Sequence, residues 1–167
     1  MTSVAPSTED LLSPINLAVI ASQGRYERAK HLALLEYEVL ETLQPDGWDV
    51  LIAQGPPRHG KTSFLAQTVP AWYHCVYPRN SSILASFALT LSRRSGRMVR
   101  DRVHEVSPWY ELPGVHPFVR SAADWRLEKY GGGMRAVGIG GGLMGYGGDR
   151  IILDDFLKKA EQDLRER

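Results

Sequence analysis

Two glycines separated by four residues and followed at once by a lysine and a threonine are the residues of this chain best suited to hold an anion: Gly55, Gly60, Lys61 and Thr62 of GPPRHGKT. This is the P-loop spacing, in which glycines let the backbone curl until successive N–H groups face one concavity at the positive end of a helix. Pro56 and Pro57 have no N–H, so the donors are expected from His59, Gly60, Lys61, Thr62 and Ser63, with the prolines stiffening the approach. Lys61 would reach the β and γ phosphates of a nucleotide, ATP, and the Thr62 hydroxyl would take a place on Mg²⁺. Arg58 is either a further charge for the γ phosphate or a solvated arginine. A nucleotide site of this kind needs a carboxylate at a strand end, and RIILDDFLK supplies Asp154 and Asp155 after an apolar run. Alone, the pair is more often a helix cap than a metal site; beside the glycine loop it reads as a metal ligand, Asp154, and a base for the attacking water, Asp155. Glu161 is the alternative base.

These groups need elements to position them. Apolar runs at 49–53, 82–87 and 151–153 predict strands, and helical patterns fill 61–76 and 90–105 between them. Strands alternating with helices imply a parallel sheet flanked by helices, an α/β fold. Gly131 to Gly133, inside WRLEKYGGGMRAVGIG, predict a hairpin. Upstream, Leu32, Leu35, Tyr37, Leu40 and Leu43 recur at helical intervals over 26–44, and PDG at 45–47 ends that helix. Ser7 with Asp10 resembles a capping box for a short helix broken near Pro14. The expected division is an N-terminal arm and short helix over 1–25 and a P-loop domain over 26–167.

PPRHGKT, FLAQTVPAWYHCVYPRNSSILASFALTLSRRSGRMVRD and RAVGIGGGLMGYGGDRIILDD, in that order, resemble the N-terminal ATPase region of the large terminase subunit of tailed bacteriophages, from about residue 30 to the end. The resemblance implies a P-loop NTPase fold of the RecA-like, additional-strand type and a motor that couples ATP hydrolysis to driving double-stranded phage DNA into a procapsid. It also implies a small terminase subunit and a portal as partners, a homo-oligomer, and the cytoplasm of an infected or lysogenic bacterial host as the location. Measured against the family, Met144 and Tyr146 occupy the glycine-loop region where many packaging ATPases carry an arginine, and Arg150 is the nearby arginine. The chain ends within KKAEQDLRER, so the coupling strand and the nuclease domain of the family are expected to be missing and turnover slow or absent. Two other expectations stand beside the motor: a nucleotide-binding or subunit-interaction module without turnover, and another P-loop enzyme such as a helicase.

The remaining features bound these readings. Across 167 residues, 20 Lys and Arg balance 19 Asp and Glu, so affinity for nucleic acid requires a local patch. LSRRSGRMVRDR offers one, with Arg93, Arg97 and Arg100 on one helical face, either for DNA phosphates or a neighbouring subunit, or simply solvated. The single cysteine, Cys75, forms no internal disulfide, and no apolar run approaches the roughly 20 residues of a membrane span. The histidines show no zinc-ligand spacing, and Trp72, Tyr73, Trp109, Tyr110 and Trp125 are expected in the core.

Overall fold

A computed structural model describes residues 6–47, 49–139 and 146–156. The elements of chain order are α1 (Thr8–Leu11), α2 (Pro14–Ala21), α3 (Lys30–Glu41), α4 (Lys61–Ser63), a π-helical turn (Phe64–Thr68), α5 (Val69–Val76), β1 (Ser81–Ser86), α6 (Leu89–Val106), β2 (Val115–Arg120), β3 (Asp124–Leu127), β4 (Gly133–Gly138) and β5 (Arg150–Leu153). The Ser7–Asp10 capping box is present, and the short helix it opens ends before Pro14, which starts a second helix, α2, where its missing N–H costs nothing.

The five strands form one sheet in the order β2-β3-β4-β1-β5. β1 pairs in parallel with β4 on one side and β5 on the other, whereas β3 is antiparallel to both β2 and β4. The sheet is therefore mixed: the expected parallel pairing is present around β1, and the expected hairpin makes the rest antiparallel. The tight Lys129–Gly131 turn forces the antiparallel part: Lys129 and Gly131 both take left-handed backbone, and Leu127 N–H closes the hairpin on the Gly132 carbonyl. β2 has no counterpart in the sequence reading; it carries Pro117 and four exposed residues, as an edge strand can.

The expected strand at 49–53 is not formed. The segment has no strand pairing among the described residues, and Val50 and Ile52 are 73% and 78% exposed. Alternating apolar residues read as a strand by pattern, but a strand also needs a neighbour to take its N–H and C=O groups.

One face of the sheet carries the main core. Leu84, Trp125, Leu127 and Met134 pack against Trp72 and Tyr73 of α5 and Val99 and Val103 of α6. Helix α6 approaches closely because of Gly96, where a Cβ would come within 2.7 Å of the Ala122 carbonyl oxygen. The aromatic expectation holds: Trp72, Tyr73 and Trp125 are buried, and Trp109 and Tyr110 lie against the same cluster. So does Leu17 of α2, and the indole N–H of Trp72 and the Tyr110 hydroxyl both donate to the Leu11 carbonyl, at 3.0 and 2.8 Å. The N-terminal helices thus contribute to this core. In α3, Leu32 and Val39 are buried whereas Tyr37 is 59% exposed, so Val39 takes the inward place expected of Tyr37. On the other sheet face Ile83, Ala85 and Val137 form a small cluster beside Ile151 and Leu153, which remain 61% and 54% exposed.

Candidate functional site

Helix α4 starts at Lys61, and the turn before it is wound by two residues in left-handed backbone, Arg58 (φ 63°) and Gly60 (φ 78°). For glycine this conformation is free, but for arginine it is uncommon and strained, and such strain is retained where a loop has a task. The first N–H groups of a helix have no intrahelical acceptor. Those of α4 therefore face the loop as donors, at the positive end of the helical segment.

Lys61 folds back over this loop. Its Nζ donates to the carbonyl oxygens of Gly55 at 2.7 Å and Pro56 at 2.5 Å, so the ammonium is held beside the first glycine of the motif. His59 is tied through its ring, whose Nδ1 donates to the Pro57 carbonyl at 2.8 Å. Arg58 and Ser63 are exposed.

Strand β5 delivers the carboxylate. Asp154 N–H donates to the Ala85 carbonyl at 2.9 Å, extending the ladder with β1 past the last strand residue, and this carries the side chain to the loop. There the Thr62 hydroxyl donates to Asp154 Oδ1 at 3.0 Å, a contact between residues 92 positions apart. Burial holds the Asp154 carboxyl above its ordinary range and the neighbouring Asp155 adds to this, while the Thr62 hydrogen bond and the Lys61 charge oppose them. A half-buried carboxylate beside a hydroxyl is a pair of oxygen donors of the type that could hold a hard cation such as Mg²⁺.

Asp155 is exposed, with left-handed backbone (φ 45°), and its carbonyl accepts the Phe87 N–H at 3.0 Å. The backbone turn after β5 thus directs the two aspartates differently. Glu161 and Met144 lie outside the described residues. Tyr146 lies under the Arg135 guanidinium, 3.6 Å from ring centre to Cζ, and Arg135 also pairs with Asp124. Arg150 is occupied internally: it donates to Thr42 Oγ1 at 2.8 Å and the Thr42 carbonyl at 3.3 Å, joining β5 to the end of α3.

The arginine face divides. Arg93 and Arg97 are exposed on α6, whereas Arg100 is engaged with Asp101 at 2.6 Å and the Arg120 carbonyl at 2.8 Å. Arg93 borders a cleft of about 420 Å³ at the C-terminal ends of β1 and β4, with Phe87, Leu89, Val137 and Ile139. A smaller cavity of about 110 Å³, lined by Leu17, Tyr26, Gln67 and Arg102 among others, lies behind the helix that follows the loop.

Periodicity places α3 but does not show that it backs the loop. His31 Nε2 lies 2.8 Å from the His59 carbonyl oxygen, and Leu32 lies under Gly60, with its Cδ1 3.7 Å from where a Cβ would stand. The histidines lack metal-ligand spacing, and no local pattern links positions 28 residues apart. No family model matches the chain, and no curated protein or solved structure shows significant similarity to it.

Proposed function

We propose that the chain binds ATP with Mg²⁺ through the Gly55–Thr62 loop and Asp154, and that it is the ATPase part of a DNA-packaging motor of the terminase large-subunit type with a P-loop NTPase fold. The observation that supports the nucleotide reading is the Thr62–Asp154 hydrogen bond, because it joins two motifs that the sequence supplies separately and that a shared metal would require together. On binding, Lys61 would exchange two neutral carbonyl partners for charged phosphate oxygens, a stronger interaction. Asp155 is the group assigned to the attacking water. The narrower assignment to a packaging motor, with phage DNA, a small subunit and a portal as partners, is supported by the order and content of the resembling segments.

Binding without turnover is a second reading, and one feature favours it: residues 49–54 reach the loop without sheet pairing, so the loop lacks the strand anchorage expected on its N-terminal side. Calorimetric titration with MgATP, beside steady-state phosphate release with and without duplex DNA, tests both readings. Lys61→Ala is expected to weaken binding about ten- to 150-fold, the loss of one charge-assisted contact of ~1.5 to 3 kcal/mol. Unchanged affinity in a folded Lys61→Ala variant removes the nucleotide reading, and binding with no release under either condition selects the second.

A further inference from the structure

His31 stands in the first turn of α3, and its Nε2 faces the His59 carbonyl oxygen at 2.8 Å. A carbonyl only accepts, so the facing ring nitrogen carries a hydrogen in the neutral ring and in the cation alike. The accepting carbonyl belongs to the peptide group that joins His59 to Gly60. In a trans peptide the C=O and N–H point in opposite directions. Turning this C=O towards α3 therefore turns the Gly60 N–H away from α3, to the side on which an anion would be received. The His59 ring is held as well, by its own Nδ1 on the Pro57 carbonyl at 2.8 Å, and Leu32, 5% exposed, supports Gly60 from the next position of α3. Gly60 is left-handed and could rotate its flanking peptides at little steric cost, so the glycine that permits the loop also leaves this peptide needing an external restraint.

We propose that His31 is a positioning residue of the phosphate loop: by donating to the His59 carbonyl it fixes the orientation of the 59–60 peptide and so presents the Gly60 N–H to a nucleotide's phosphates. This rests on the phosphate-loop reading, and it adds α3 to the parts of the molecule that determine affinity. His31 acts through the peptide group and does not itself touch the ligand.

The test compares His31→Ala and His31→Gln by calorimetric titration with MgATP, with thermal melting recorded for each. Alanine removes the donor and is expected to weaken binding about two- to tenfold, the range for one net hydrogen bond. Glutamine retains an N–H donor at similar reach and is expected to restore most of the affinity. The melting midpoints of both are expected to stay near the original, because the bond lies at the surface. Lys61→Ala, measured alongside, separates two failures. If it too leaves affinity unchanged, the phosphate-loop reading falls and this inference with it. If it weakens binding while His31→Ala does not, this inference alone is overturned. Equal losses in the alanine and glutamine variants also overturn it, since a restored donor would then have had no effect.

Discussion

Replacing Asp154 by asparagine should move stability and ligand affinity in opposite directions. Burial, first, and the nearby Asp155 raise the Asp154 carboxyl above its ordinary range against the Thr62 hydrogen bond and Lys61. A carboxyl whose pKa is raised by folding binds its proton more tightly in the folded than in the unfolded chain. Its ionised form therefore costs stability above the folded pKa, and the cost is relieved as pH falls through that value. Asparagine has the same shape, keeps an Oδ1 to accept from Thr62 and carries no charge, so the variant should melt at the same temperature as the original chain or higher at neutral pH. That difference should shrink on acidification. MgATP binding should change the other way. If Asp154 is the proposed anionic ligand of the metal, its removal forfeits ~1.5 to 3 kcal/mol, about ten- to 150-fold in Kd. Titration calorimetry with ATP in Mg²⁺ and again in EDTA is the assay, with the loss expected in Mg²⁺ alone. Affinity that is unchanged in Mg²⁺, or reduced equally in EDTA, refutes the metal role; a large fall in melting temperature refutes the claim that the charge is carried at a cost to the fold.

The other predictions concern separate parts of the molecule. Replacing Arg93 and Arg97 by alanine should lower the salt slope of duplex binding by about 1.8, two phosphates at roughly 0.9 each; an unchanged slope makes α6 a solvated face. Arg100→Ala should act mainly on stability, through its bonds to Asp101 and the Arg120 carbonyl, and a slope change as large as that of Arg93→Ala would contradict this. His74 is fully buried with its Nε2 2.7 Å from the Ser82 hydroxyl, and burial pulls its pKa from 6.5 to about 3. Its contribution to stability is intact above the unfolded pKa and is lost as pH falls from 6.5 towards 3, by at most about 1.4 kcal/mol per pH unit. Urea melts of His74→Gln should show a flatter pH profile across that window, and an equal slope refutes the assignment. Asp155→Asn should spare MgATP affinity and reduce any phosphate release; normal release moves the base elsewhere.

Much of this arrangement is legible in the sequence where local rules decide the outcome. Helices α3, α5 and α6, strands β1 and β5, and the 131–133 hairpin follow from periodicity and glycine placement, and the loop follows from residue spacing. What was not legible depends on partners distant in the chain. Val50 and Ile52 carry the apolar character of a strand, but pairing is a property of two segments, and none of the described strands lies beside them. Arg100 has the same helical face as Arg93 and Arg97; what removes it from the free surface is the Arg120 carbonyl, brought near by the strand after α6. His31 is likewise ordinary in its own helix and acquires a role only through a carbonyl 28 residues away.

The convergence of Thr62 on Asp154 depends on a detail that helical periodicity conceals. Pro70 falls inside the predicted 61–76 helix, where it has no N–H to donate and its ring conflicts with the Ala66 carbonyl one turn earlier. The chain answers with the π-helical turn Phe64–Thr68, closed by the Val69 N–H on the Phe64 carbonyl, five residues back instead of four. Each extra residue in a turn rotates what precedes it by about 100° relative to an uninterrupted helix. The orientation of α5 is fixed independently, because Ala71, Trp72, Tyr73 and Cys75 are buried in the main core. Phe64 is fixed too, fully buried with Ile15, Leu32 and Val69 in the second core. With both ends anchored, the wide turn determines which way Lys61 and Thr62 face. They face the end of β5 and the first glycine of the loop, where the carboxylate and the carbonyls stand that they contact. A proline that by propensity alone should weaken the helix is therefore the residue that makes its first turn point at the candidate site.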